Sequence, residues 1–308
     1  MEKNPFSIHD FLGYVLPGGV AILLAYMVYK NPQCNYMTSQ DFIGAIKNTI
    51  SGLKIKDVST IQLSVAVIII SYIVGHLVAY LSSITVERMS IWHYNYPSVF
   101  LLSDKPKPRF CYDIKKQLAN KKVFEAYGNL FLRLVVSLFL LPSTICILLV
   151  RWFHMDSYFI KPLDKYLQSS IRLKFELLEK KLGVSEIKRP EDSDTHRIIY
   201  HYMYENFPGH RAKMDNYVAL YGVLRSLTLI SNLFIMYIWK CQAYYLYNNF
   251  SWDLIRPYPC MKIGFMVLVQ FLFFMAFMKF YRRFTLESFM CMVSMETGKE
   301  KREKSKMN

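Results

Sequence analysis

The longest apolar stretch of the chain runs from Val58 to Val86 and contains no Asp, Glu, Lys or Arg. A helix needs about 20 mainly apolar residues to cross a hydrocarbon core of roughly 30 Å, so this stretch predicts a transmembrane helix. Charged segments separate it from four more apolar blocks, which are Phe11 to Tyr29, Leu134 to Val150, Val218 to Trp239 and Ile263 to Met278. The pattern predicts an all-α integral membrane protein, a bundle of four or five transmembrane helices with a helical cytoplasmic insert.

The central stretch carries a polar face and a face of small residues. The polar residues are spaced four, four, three and four apart, which aligns them along one side of a helix; they are Tyr72, His76, Tyr80, Ser83 and Glu87. Small residues recur every four positions on a neighbouring face, at Ser71, Gly75 and Ala79. Such a ladder lets a second helix approach closely, so we expect the polar face to point into a bundle.

The fourth block carries a matching polar face, with Tyr221, Arg225, Thr228 and Asn232 spaced four, three and four apart. Ionisable groups within a span are costly, and they usually face the protein interior and find partners. At about 1.5 Å per residue, Arg225 lies about 12 Å beyond Tyr217 and His76 about 16 Å before Glu87, so the two polar faces meet at similar depth if the helices run in opposite directions. We predict an Arg225–Glu87 or Arg225–Asp215 pair at the mouth of a polar cleft, with His76 below it.

The complete predicted cleft consists of Tyr72, His76, Tyr80, Ser83, Glu87, Tyr221, Arg225, Thr228, Asn232 and Asp215. The alternative is that these side chains only lock the helices together through buried hydrogen bonds.

An amphipathic helix is predicted in the longest water-facing segment. Pro162 begins it, Gly183 suits its C-terminal cap, and apolar residues repeat near helical spacing at Leu163, Leu167, Ile171, Leu178 and Leu182. Such a face can lie on the membrane, pack on the rest of its own segment, or pair with another copy. Our hypothesis is that it binds a protein partner.

The formal net charge of +15 is typical of a membrane protein whose basic residues lie on its cytoplasmic side. Lys and Arg concentrate on cytoplasmic segments and near anionic lipids, so we expect a basic face towards the anionic lipids of the bilayer and no nucleic acid. The basic residues number four in 30–57, eight in 88–122, twelve in 151–213, three in 240–262 and eight in 279–306.

Two topologies are compatible with this distribution of basic residues, one of them with a single exception. If the third block does not fully cross, four spans leave both termini and both basic segments in the cytoplasm. If all five blocks cross with the N-terminus outside, only 88–122 violates the rule. Both place 154–216 and the C-terminus in the cytoplasm, and we expect a multi-pass protein of the bacterial inner membrane.

The chain is predicted to have four regions. An N-terminal membrane pair at 1–88 has spans at about 11–30 and 61–86, and a C-terminal membrane pair at 217–283 has spans at about 217–239 and 262–280. Between them lies a basic helical, mainly cytoplasmic region at 89–216 with the third block at about 130–152, and a basic cytoplasmic tail follows at 284–308.

No recognisable catalytic motif occurs in the chain. The spacing of His196, His201 and His210 is poor for a metal site, and the six cysteines contain no C-x-x-C pair. We therefore expect no catalytic residues, no metal and no cofactor. The favoured function is a membrane anchor, receptor or effector whose cytoplasmic helices bind a protein partner. Alternatives are an oligomeric channel or membrane-perturbing protein, including one of the bacterial defence type, and an intramembrane lipid-modifying enzyme.

Overall fold

The structure is a computed structural model that describes residues 11–30, 60–103, 108–158, 160–184, 196–248 and 257–294. All regular secondary structure in these ranges is helical, which confirms the predicted all-α class. Four helices are long and apolar enough to cross a membrane, and a bent helix pair is a fifth candidate. The predicted tail from 295 onward lies outside the described residues.

In chain order the helices are α1 Leu16–Lys30, α2 Thr60–Ser82, α3 Arg88–Tyr94, α4 Pro97–Leu102, α5 Arg109–Ala119, α6 Val123–Phe139, α7 Leu141–Trp152, α8 Lys165–Lys181, α9 His196–Asn206, α10 Pro208–Asn248 and α11 Pro257–Val293. A π-helical turn, Phe11–Val15, leads into α1, and a second one, Ser83–Glu87, joins α2 to α3 without a break.

Gly18 and Gly75 bring α1 and α2 into backbone contact. A Cβ atom on Gly18 would lie 1.8 Å from the carbonyl oxygen of Ser71, and one on Gly75 would lie 1.9 Å from that of Tyr14. Only glycine allows so close an approach. Because the earlier residue of the first helix meets the later residue of the second, the two helices are antiparallel. Ser71 and Gly75 belong to the predicted ladder of small residues.

α10 and α11 form a long antiparallel pair through the centre of the molecule. His210 lies near Glu287 and Tyr217 lies near Phe280, so the order of these contacts along the two helices is opposite. The 41 residues of α10 extend over about 60 Å at 1.5 Å per residue. That is twice the roughly 30 Å of a bilayer core. The start of α10 and the end of α11 extend past the apolar blocks Val218 to Trp239 and Ile263 to Met278.

A packed core forms around the start of α10 and the end of α11. We call it the helical unit and define it as α4, α8, α9, the start of α10 and the end of α11. Its buried side chains are Phe100, Leu101, Ile171, Phe175, Leu178, Ile199, Met203, Met214, Phe289, Cys291 and Met292. α11 stays helical through Val293 and places three of these side chains in the core, so residues 284–293 of the predicted tail belong to the helical unit.

Candidate functional site

Arg225 of α10 reaches across to the junction of α2 and α3. Its guanidinium donates hydrogen bonds to the Glu87 carboxylate, to Ser82 Oγ at 3.1 Å and to the Ala79 carbonyl oxygen at 3.3 Å. The side chains of Arg225 and Glu87 are 12% and 22% exposed. The structure thus brings together Arg225 and Glu87, one of the two pairs that the sequence suggested. That they form a functional site stays a prediction.

The π-helical turn Ser83–Glu87 determines which residues of α2 join this pair. A π-helical turn contains an extra residue, so it rotates the following side chains relative to those before it. Ser83 and Glu87 therefore face a cavity, whereas Tyr80 is 64% exposed on the outer surface of the bundle. The prediction of a single inward-facing polar stripe along this helix is wrong for Tyr80.

His76 lies apart from the charged pair. Its ring stacks on Tyr14 of the π-helical turn before α1, with 3.8 Å between ring centroids, and meets Tyr72 edge-on at 4.5 Å. Like Tyr80, it is exposed on the side of the bundle. The structure therefore places Tyr72 and His76 in the α1–α2 contact and not below Arg225.

Asp215 also lies elsewhere than in the predicted alternative pair. Its carboxylate accepts a hydrogen bond from the hydroxyl of Tyr204 in α9, at 3.3 Å. Burial, and then the negative charge of Asp215, raise the pKa of the Tyr204 hydroxyl, so this hydroxyl remains the donor. Asp215 thereby fastens α9 to the start of α10, and Arg225 pairs with Glu87.

A cavity of about 380 Å³ opens beside the charged pair. Its volume falls at the lower end of the range of about 300–1,000 Å³ for small-molecule sites. It is lined by Ser83, Ile84, Glu87, Arg88, Ile91, Tyr96, His196, Arg197, Tyr200, Tyr221, Tyr281 and Phe284. These residues belong to the junction of α2 and α3, the start of α9 and the facing sides of α10 and α11, so the cavity lies where the spans meet the helical unit.

Deeper in the bundle, Asn232 centres a buried polar network. Its side-chain oxygen accepts from the backbone N–H of Ser143 at 3.1 Å, and its amide donates to Ser143 Oγ at 2.6 Å. Gln270 of α11 donates to the same hydroxyl at 2.5 Å and accepts from the Cys146 thiol at 3.4 Å. Thr228 is buried one turn before Asn232, and its carbonyl oxygen also accepts from the Asn232 amide.

Sequence reasoning found Asn232 but missed Ser143 and Gln270. A signal was present for both. Gln270 is the one side chain with a hydrogen-bonding amide in the block Ile263 to Met278, and Ser143 follows Pro142 in the middle of the third block. Polar residues at such positions point to interhelical hydrogen bonds, because the bilayer core offers them no other partner.

The network holds the bend of the third block. α6 and α7 meet at an angle of 97°, and Pro142 lies in the first turn of α7. Early N–H groups of a helix have no partner within it. Non-helical backbone is tolerated at membrane depth only where protein buries it. Asn232 supplies the acceptor that the N–H of Ser143 needs.

The two arms of this bent pair both contact α3. Arg133 of α6 lies over the ring of Trp92, with 5.4 Å to its centroid, and Arg151 of α7 donates to the carbonyl oxygen of His93 at 3.0 Å. Trp92 and His93 are neighbours in α3. By length and composition the bent pair is either a broken span or a re-entrant loop.

No protein-family model, curated protein or solved structure matches this chain. Its function therefore rests on its own residues. In the described part of the chain, no group of three or more His, Cys, Asp and Glu side chains is arranged to hold a metal ion. His196 is instead packed among Phe284 and Phe289, and His210 lies 3.3 Å from the carboxylate of Glu287.

The predicted partner-binding face of α8 is largely covered by the chain itself. Ile171 and Leu178 are buried in the core of the helical unit, and Leu163 packs against it. Leu167 is half-buried and Leu182 exposed. The prediction of a free face is therefore wrong for Ile171 and Leu178, because α4, α9 and α11 already occupy it.

The opposite side of α8 carries apolar residues that do not belong to the predicted partner-binding face. Tyr166, Leu173 and Leu177 are exposed, Leu173 by 59%, and their spacing of seven and four residues places them on one face.

The lysines of the basic face, Lys115 and Lys116 among them, are exposed on α5.

Proposed function

We propose that the chain is a non-catalytic membrane receptor or effector whose helical unit binds a protein partner in the cytoplasm. The observation that carries the proposal is the exposed apolar face of α8 formed by Tyr166, Leu173 and Leu177. Glu176 and Lys180 are exposed beside it, and an apolar centre with a charged rim is the usual anatomy of a protein interface. α10 and α11 are continuous from the membrane spans into the helical unit, so the unit is attached to the membrane through two helices.

Charge and cysteine chemistry support a cytoplasmic helical unit. The two most basic interior segments, 88–122 and 151–213, contribute to the end of the molecule at which the unit lies, as the positive-inside rule requires for cytoplasmic loops. Cys241, near the far end of α10, is disulfide-bonded, and disulfides persist on the oxidising side of a bacterial inner membrane. The exposed lysines of α5 then face the anionic lipids of the inner leaflet.

Labelling from outside intact cells tests this topology. Single cysteines are introduced at exposed Tyr112, His201 and Tyr244, in a background that keeps Cys241 and its disulfide but lacks the free cysteines. We expect an impermeant maleimide to label only position 244. Labelling at 112 as well would mean that the third block crosses, and it would place Glu87 on the outer side and refute the re-entrant arrangement.

Photo-crosslinking tests the partner surface. A photoreactive amino acid at 173 or 177, in the full chain in intact membranes, should give an adduct of one discrete mass, and Tyr166→Glu should abolish it. Leu118, exposed on α5, is the matched position at which no such adduct should form. An equal adduct at 118, or none at 173 and 177, would refute the assignment. A doubled mass would identify a second copy as the partner.

An oligomeric channel is the second candidate, because His76 and Tyr80 are exposed on the side of α2 that lies in the bilayer. Polar side chains facing lipid are costly and are relieved when a second copy covers them. A channel predicts that Tyr80→Cys forms crosslinked dimers in membranes and that His76→Leu alters conductance in planar bilayers. Monomeric protein without conductance would exclude it.

A further inference from the structure

The cavity at the junction of α2 and α3 is suited to a ligand that the membrane itself supplies. It lies where the apolar part of α2 ends, and Ile84, one of its lining residues, is exposed on the surface of the span. The outer face of the same helix continues away from the cavity through Leu81, Leu77 and Ile73, all exposed. An apolar chain can therefore follow α2 while its polar end occupies the cavity.

The charges that line the cavity favour an anion. Arg88 and Arg197 bring two guanidinium groups, from α3 and α9 respectively. Glu87 is the acidic residue among the lining residues, and its carboxylate already accepts from Arg225. Guanidinium groups bind phosphate oxygens through paired, charge-assisted hydrogen bonds. Among the described lining residues, arginines therefore outnumber carboxylates, which suits a phosphodiester.

The remaining lining residues fit the polar region of a lipid. Tyr96, Tyr200 and Tyr281 bring phenol rings to the cavity walls. Tyrosine is enriched at this depth because its ring tolerates acyl chains while its hydroxyl hydrogen-bonds to headgroups. Basic pockets between transmembrane helices on the cytoplasmic side are recurrent sites for anionic headgroups.

We propose that the cavity binds the headgroup of an anionic phospholipid, with its phosphate between Arg88 and Arg197 and its acyl chains along the exposed face of α2 beyond Ile84. Such a lipid touches the spans and α9 together, so it joins the helical unit to the bilayer. The site is separate from the α8 surface and does not depend on the partner proposed for it.

The test measures thermal stabilisation of the purified full chain in neutral detergent as phosphatidylglycerol is added. Phosphatidylcholine and inorganic phosphate serve as comparison ligands. The double variant Arg88→Gln/Arg197→Gln is set against Lys115→Gln/Lys116→Gln, which removes the same charge from the exposed face of α5. We expect the concentration of phosphatidylglycerol for half-maximal stabilisation to rise at least tenfold in the arginine variant and to stay unchanged in the lysine variant.

Three results would overturn the proposal. Equal stabilisation by phosphatidylcholine would show that charge is irrelevant. Equal stabilisation by inorganic phosphate would assign the cavity to a soluble anion. Equal loss in both double variants would show unspecific attraction to basic residues.

A second measurement covers the case in which the arginine variant does not fold. A photoactivatable phosphatidylglycerol is crosslinked to the unmodified protein, and the labelled peptides are sequenced. The proposal requires labels within 83–91 or 196–200. Labels found only on α5 and α6 would refute it.

Discussion

Replacing Asn232 by leucine should loosen the bend between α6 and α7. The substitution removes the acceptor of the Ser143 N–H and a donor to the Ser143 hydroxyl. The hydroxyl keeps Gln270 as a donor, but the N–H lies in the first turn of α7 and has no partner within the helix.

The cost follows from these two losses. A buried N–H without a partner costs about 1–3 kcal/mol, and an interhelical hydrogen bond in a membrane contributes about 0.6 kcal/mol on average. The total is about 2–4 kcal/mol. At roughly 2–4 °C per kcal/mol for a chain of this size class, the melting temperature should fall by on the order of 5–10 °C.

Cys146 gives a direct readout of this change, because its thiol is buried and donates to Gln270 within the same network. In a background that keeps Cys146 and the disulfide of Cys241 but lacks every other cysteine, a thiol-reactive fluorophore reports the opening of the network during a thermal ramp. Ser231→Ala is the matched control, since the Ser231 hydroxyl donates only to carbonyl oxygens of its own helix. Equal melting temperatures for Asn232→Leu and Ser231→Ala would refute the argument that Asn232 holds the bend.

Two further substitutions test the packing. Gly18→Ala places a Cβ against a backbone carbonyl oxygen at 1.8 Å, so it should lower stability by about 1–3 kcal/mol, whereas Gly222→Ala, with open space around it, should be neutral or slightly stabilising in the same thermal assay. Ile171→Glu forces a charge into the core of the helical unit, at a position 1% exposed, at a cost of several kcal/mol. Limited proteolysis should therefore cut α8 readily in that variant, and Leu173→Glu should stay as resistant as the unmodified protein.

The sequence placed the polar faces of the two helices at similar depth and named Glu87 as one of two partners for Arg225, and the reason is geometric. A helix rises by a constant 1.5 Å per residue, and charged residues mark where each span leaves the bilayer. Depth can therefore be counted along both helices. The remaining requirement is that the two helices run in opposite directions, and the distribution of basic residues supplied it.

The same counting failed for His76 and Tyr80. Regular spacing assumes that the helix keeps one period throughout, but the turn Ser83–Glu87 is π-helical and inserts an extra residue. The sequence Ser-Ile-Thr-Val-Glu contains no pattern that predicts a π-helical turn. The turn ends at Glu87, whose carboxylate accepts from Arg225, and such a tertiary contact cannot be seen in local sequence.

The helix α8 illustrates a second limit. Its periodic leucines required a buried face, and Leu178 is completely buried. Periodicity reveals that a face is covered, but not whether the cover is the same chain, a second copy or a partner. Only the positions of α4, α9 and α11 decide this, and they leave Leu173 on the outside.

The third block shows how polar residues bear on two readings of one apolar stretch. Hydropathy favoured a fifth span, because 17 uncharged residues seldom avoid lipid, while the basic residues favoured a block that does not cross. The structure bends the block by 97° and places Arg133 and Arg151 beside adjacent residues of α3. A helix can break inside a bilayer only if other helices bond its free backbone groups. Asn232 accepts from the N–H of Ser143 beside the break, so a broken span and a re-entrant pair both need this side chain.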